Sequence, residues 1–164
     1  MAWTTPKTDW TTGELITASD MNAVGENLAA LRLSDLATAV YTTTEHIRAK
    51  ASEFTDVDSD NLSLTITTAG RDVLIHFYGT IGHGSASPNF YGSFDIDVDG
   101  VRQGSDDGVV KVYFYHDVYP CVSFTRLIQG LSAGSHTFKL QWKSYRSGMG
   151  LMLHKGAQFS VREI

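Results

Sequence analysis

A single cysteine, Cys121, stands in the 164 residues, so no intrachain disulfide can form and the fold does not depend on an oxidising compartment. Its surroundings, Pro120, Val122 and Phe124, are apolar and predict a buried thiol that acts as a small hydrophobe. No apolar run approaches the roughly 20 residues of a membrane-spanning helix, which argues against membrane insertion. The opening residues 1–7 have no apolar stretch of the kind that marks a secretory signal. Lys and Arg together number 13 against 18 acidic residues, and they are scattered rather than striped. That excludes nucleic acid as a natural ligand, and the net charge of -5 chiefly favours solubility. Phosphate loops and dinucleotide fingerprints are missing, and the six histidines show no metal-ligand spacing. No cofactor and no enzymatic activity are expected.

What is present falls into three segments. Residues 1–16 are rich in Thr and carry Trp3 and Trp10, two large side chains with nothing local to bury them. Either they fold back onto their own domain or they anchor the chain in a partner, a role indoles favour. Residues 17–33 read as a helix within a stalk spanning 17–36. Thr17 and Asp20 fit a capping box, and Met21, Val24, Leu28 and Leu31 form a narrow seam at a/d spacing. A helix of about four turns is marginal alone. It packs on its own β domain or against copies of itself, and the narrow seam favours copies.

From residue 37 to 164 the period changes to two. Val73, Ile75, Phe77 and Ile81 alternate with polar or smaller neighbours; so do Phe94, Ile96 and Val98, then Val110, Val112, Phe114 and Val118, and later Phe138, Leu140 and Trp142. Asp99-Gly100 marks a hairpin. Eight to ten short strands with no helix among them predict a mainly β fold, an antiparallel jelly-roll β-sandwich preceded by one short N-terminal α-helix.

Several positions qualify as sites. Tyr113, Tyr115 and Tyr119, with Tyr78 and Tyr91, occupy polar-side positions; β propensity alone explains them, but a tyrosine-rich face favours a subunit interface. Loop 82–89, with His83, Ser85 and Asn89, is a candidate surface ligand loop. Asp95, Asp97 and Asp99 share a strand face and are weak candidates for calcium at a subunit contact. The flanking strands do not suit a calcium loop, so a solvated acidic face is preferred. Asp56 to Asn61 reads as a polar turn. Gly130-Leu131-Ser132-Ala133-Gly134 matches a nucleophile elbow, but strand-like residues follow it, so it reads as a turn.

Two stretches resemble known proteins. The opening, Trp3 through Trp10, then Gly13-Glu14-Leu15-Ile16-Thr17-Ala18 and Asn27-Leu28, resembles the N-termini of small structural proteins of tailed bacteriophages. Gly130 through Trp142, with Phe159 to Ile164, is similar to late strands of the trimeric jelly rolls of tumour-necrosis-factor-like and complement-like domains. The resemblance implies a homotrimeric virion protein, assembled in the host cytoplasm, with residues 1–16 fixed to other virion proteins and the jelly roll facing outward. Attachment to a host cell-surface glycan or protein, as in a tail fibre or spike, is the favoured role. A capsid decoration or head fibre is the alternative, and a polysaccharide-degrading tail enzyme the remote one.

Overall fold

The computed structural model describes residues 17–24, 36–42, 48–49, 53–83, 90–115, 118–145 and 150–164. The chain divides into two compact units, Met1–Ser34 and Asp35–Ile164. In the first, helix α1 covers residues 18–24. Thr17 caps it as the spacing predicts: the Asp20 amide donates to Thr17 Oγ1 at 3.2 Å, and the Thr17 amide donates to Asp20 Oδ2 at 2.9 Å. Met21 and Val24 are exposed on it. Trp3, Trp10, Leu28 and Leu31 lie outside the described residues.

The second unit is a jelly-roll β-sandwich. Its strands are β1 (Leu36–Val40), β2 (Arg48–Ala49), β3 (Thr55–Asp56), β4 (Ser63–Ala69), β5 (Val73–His83), β6 (Phe90–Val98), β7 (Val101–Arg102), β8 (Val110–Phe114), β9 (Cys121–Ile128), β10 (Ala133–Ser144), β11 (Leu151–Leu153) and β12 (Gln158–Glu163). All pairings are antiparallel. Sheet I runs β1–β12–β5–β9, and the end of β5 also pairs β11, which in turn pairs β2. In sheet II, β4 and β3 share one edge of β10, then β6 follows, with β7 and β8 along its far edge. Sequence neighbours such as β4, β5 and β6 therefore alternate between sheets.

Alternation explains the packing. Ile75, Phe77 and Ile81 of β5 and Phe159 and Val161 of β12 point inward from sheet I; Phe94, Ile96, Phe138, Leu140 and Trp142 meet them from sheet II, all fully buried. The Phe77 ring stacks on Phe94 across the sheets at 6.0 Å, and Phe94 lies 6.4 Å from Trp142. At one end, Glu163 is buried and its Oε1 accepts the amides of Ala69 and Arg71, tying the last strand to the β4–β5 turn.

Asp99 and Gly100 both adopt positive φ, 52° and 87°, the backbone of a tight two-residue hairpin turn. Three expectations are corrected. Cys121 is exposed, because Val122 takes the inward position of β9 and Cys121 faces out. Val118 lies past the end of β8 and is exposed, its amide donating to the Tyr115 carbonyl. Gly82 and His83 belong to β5, paired with Met152 and Leu151, rather than to a loop.

Candidate binding faces

The outer face of sheet II is where the sequence reading and the structure part most. Strand β6 is buried on both sides: every residue from Gly92 to Val98 is buried, Asp95 and Asp97 included. The solvated acidic face is therefore absent. The cause is the segment after the hairpin. Residues 101–114 run antiparallel to β6 but leave the ladder between Gln103 and Val109, whose amides donate to the carbonyls of Ile96 and Phe94. The intervening residues fold over Asp95. Its carboxylate accepts the Ile96 amide and Arg102 Nε, each bond 2.8–2.9 Å. Arg102 also donates to the Ser105 carbonyl and stacks over Phe54 at 3.9 Å. Lys143 donates to the Asp106 carbonyl and Tyr145 bonds Asp107, holding the far side of the segment. Gly108 permits the close approach: its φ is +76°, and a Cβ there would lie 2.4 Å from the Phe94 carbonyl oxygen.

The three aspartates do not converge. Asp97 accepts the Gly100 amide, while Asp99 accepts the Thr137 amide and bonds His136. Among the described residues no group of three potential metal ligands is present. Asp56 is bound by Lys139 and Gln141, and Asp58 closes the 58–61 turn on the amides of Asp60 and Asn61. Ser132 serves through its carbonyl, which accepts bonds from Thr68 Oγ1 and His136 Nε2, in a turn between β9 and β10.

Beside the covered part of β6 an aromatic row crosses the same face. Tyr91 on β6 and Tyr113 on β8 are direct cross-strand partners, with ring centroids 4.7 Å apart. Tyr115 stands edge-on to Tyr113 at 4.8 Å. On the other flank Lys111 lies 5.2 Å from the Tyr91 ring and 4.5 Å from that of Tyr145. Its ammonium is paired with Asp107 at 2.9 Å, a bond that holds the lysine pKa above its ordinary value. Tyr119 does not join this row. It sits on the outer face of sheet I, its ring against Gly82 and edge-on to His154 at 5.4 Å.

The outer face of sheet I has another character. Register aligns Leu36, Arg162, Leu74 and Leu127 in one row, then Thr38, Ser160, His76 and Thr125, then Val40, Gln158, Tyr78 and Ser123, with Thr80 and Cys121 beyond. Arg162 is the one permanent charge among these fourteen outward positions. Protein surfaces ordinarily carry charge at about a quarter to a third of their positions, and interface cores are depleted of it. Leu36, Val40, Tyr78 and Leu127 are all exposed, at 63%, 51%, 40% and 40%.

At the turn end of sheet II, His136 is nearly buried and both ring nitrogens face acceptors: Asp99 Oδ2 at 2.6 Å and the Ser132 carbonyl at 2.9 Å. The imidazolium donates to both. Its pKa is raised, first by the Asp99 bond and then by the Ser132 carbonyl. Asp99 is lowered in turn, by the Thr137 amide and then by His136.

Of the positions singled out in the sequence, Tyr113 and Tyr115 come together with Tyr91, Tyr119 stands apart, and the side chains of His83, Ser85 and Asn89 lie outside the described residues. Phe54, Lys111, Lys143 and Tyr145 were not legible as a group, since they come from three distant strands or loops. The charge-poor face was within reach: Leu74, His76, Tyr78 and Thr80, and Ser123, Thr125 and Leu127, alternate as outward positions without a permanent charge.

No protein-family profile and no curated protein sequence matches the chain. Solved structures do resemble it. One is that of infectious bursal disease virus, Gx strain, at 10% identity and a TM-score of 0.47, over 79% of this chain and 33% of that one. Murine APRIL is matched at 9% identity and a TM-score of 0.45, over 79% of this chain and all of that one. Dimeric latent PorU from Porphyromonas gingivalis is matched at 8% identity and a TM-score of 0.44, over 79% of this chain and 12% of that one. The chain thus spans APRIL whole and only a minor part of the other two. At such identities the likeness is one of fold. Among the described residues no helix is long and apolar enough to cross a membrane.

Proposed function

We propose that this chain is a non-enzymatic structural protein of a bacteriophage particle, a homotrimer whose subunits meet through the outer face of sheet I. The N-terminal segment holds it to other virion proteins, and the jelly roll is presented outward for attachment. The observation that carries the reading is the field of fourteen outward side chains with a single charge, Arg162. Four strands about 4.8 Å apart and five to eight residues long make a field roughly 20 by 20 Å. That footprint is about half of the roughly 800 Å² a standard interface takes from each partner, so the contact extends past these fourteen positions. Sheet I takes the subunit contact in this reading instead of Tyr113 and Tyr115, because charged groups crowd the sheet II face and would have to be stripped of water. The phage assignment rests on the Trp-rich opening and its resemblance to virion proteins.

Light scattering on the full chain tests it. The expected mass is three times that of one chain. Tyr78→Lys combined with Leu127→Lys, both at exposed positions, places two charges in the contact and should give single-chain mass with an unchanged circular dichroism spectrum. Cys121 faces the same side and reports on it: its thiol should react slowly with a soluble alkylating reagent in the wild type and faster in the double variant. A wild type that stays at single-chain mass at high micromolar concentration removes the reading.

A further inference from the structure

We propose that Tyr91, Tyr113 and Tyr115 form a platform for a neutral carbohydrate on the outer face of sheet II. The proposal draws on the assembly reading in one respect, that a subunit contact through sheet I leaves this face open.

Size decides first against a protein partner. The three side chains are 47%, 37% and 57% exposed, and a tyrosine offers about 200 Å², so the row presents about 300 Å². Tyr145, 41% exposed, brings it to no more than about 400 Å². A stable protein interface takes about 800 Å² from each partner. The aromatic row suits a ligand a few rings long.

Charge decides next. A cationic ligand would seek the ring faces, but Lys111 already lies over Tyr91 and Tyr145. An anionic ligand would seek Lys111, but its ammonium is held by Asp107 at 2.9 Å. Lys143, beside Tyr145, is held by the Asp106 carbonyl, and among the described residues what is left over Tyr113 and Tyr115 is a surface of ring faces and phenol oxygens. Its complement is a molecule with an apolar C–H face and a rim of hydroxyls, which describes a pyranose.

Shape and rigidity agree. Tyr113 and Tyr115 are perpendicular within 6° and 4.8 Å apart, so one ring forms a floor and the other a wall. Tyr91, tilted by 58° at 4.7 Å, extends the row across the strand pair. Beneath it, on the inner side, the cross-strand pair Phe90 and Phe114 stacks at 5.3 Å and fixes the two strands. Little side-chain freedom remains to be lost on binding.

The experiment titrates the full chain with maltohexaose, cellohexaose, xylohexaose and mannohexaose in turn, reading tyrosine ring signals by NMR, with light scattering on the same samples. At least one sugar should give saturable shifts with a millimolar dissociation constant. Tyr113→Ala and Tyr115→Ala should each weaken it about tenfold or more, while Tyr113→Phe, which keeps the ring, weakens it less. Val101→Ala, exposed beside the far end of β6, should leave it unchanged. No saturable shift up to about 20 mM of any of the four sugars, or binding that survives both alanine variants, overturns the platform. Light scattering separates the two ideas: a trimer that binds none of the sugars sinks the platform alone, and a monomer that binds one sinks the assembly alone.

Discussion

Arg102→Met removes the cationic partner that the Asp95 carboxylate has among the described residues, together with the guanidinium's bond to the Ser105 carbonyl and its stack on Phe54. The carboxylate is wholly buried and accepts two bonds, from the Ile96 amide and from Arg102 Nε at 2.9 Å. Methionine keeps much of the aliphatic stem beside Phe54, so the loss is mainly electrostatic. Stripping one partner from a fully buried ion pair costs about 3–5 kcal/mol. Here the arginine side chain is 36% exposed, so water screens the pair and reaches part of the vacated space. A single hydrogen bond to a charged group is worth about 1.5–3 kcal/mol. The expected loss is therefore about 2–3 kcal/mol, or a fall of about 5–10 °C in Tm for a chain of this size. Equilibrium urea unfolding measures it. Adding Asp95→Asn removes the stranded charge, so the double variant should recover about 1–2 kcal/mol against the sum of the singles. Residues 103–109 should also become a site of limited proteolysis in Arg102→Met, since they are folded over that carboxylate. A single variant within about 0.5 kcal/mol of wild type, or strict additivity of the pair, would refute the idea that the buried charge organises this segment.

The His136 contact predicts a pH dependence with a definite sign. The folded pKa is raised above 6.5, so its stabilisation is full below pH 6.5 and fades as pH rises through the folded value. The Asp99 contribution is full above its ordinary value of 3.8 and fades as pH falls through the lowered one. The Tm gap between wild type and His136→Gln should be level from about pH 5 to 6.5 and shrink above that; a gap that widens with pH contradicts the assigned bonds. Gly108→Ala and Gly100→Ala differ in a second way. Both force alanine to a positive φ, at about 1–2 kcal/mol. A Cβ on Gly100 meets nothing within 4 Å, whereas on Gly108 it strikes the Phe94 carbonyl. Thermal unfolding should show Gly108→Ala lower by a further 1–3 kcal/mol or so, and equal losses would mean the segment is not packed against β6 as described.

Much of the fold was legible from local pattern. The inward residues of β5, β6, β10 and β12 are the apolar members of an alternating series, and burial confirms them one by one. Asp99-Gly100 and the Thr17–Asp20 cap were equally plain, because a turn or a cap depends on residues within a few positions of each other. The misreadings have one form. Asp95 and Asp97 were assigned to solvent because alternation places them outward, and outward is where they point. Nothing local says that residues 103–109 will return to cover them. Cys121 went wrong for the complementary reason: its apolar neighbours suggested burial, but on a strand a residue shares its face with those two away, and Ser123 is exposed there as well.

Period, turn chemistry and the lack of cofactor motifs belong to the sequence by itself, since they depend on contacts between residues close along the chain. Which outward residues stay outside was settled only by tertiary structure. Tyr91, Tyr113 and Tyr115 become a row, Tyr119 leaves it, and Leu36, Val40, Tyr78 and Leu127 become one charge-poor field, through the pairing of strands up to 126 residues apart, as Leu36 with Arg162. The physical reason is that a strand specifies two faces but not its neighbours. Those are chosen when the sheets close around a shared core, and each surface is a by-product of that choice.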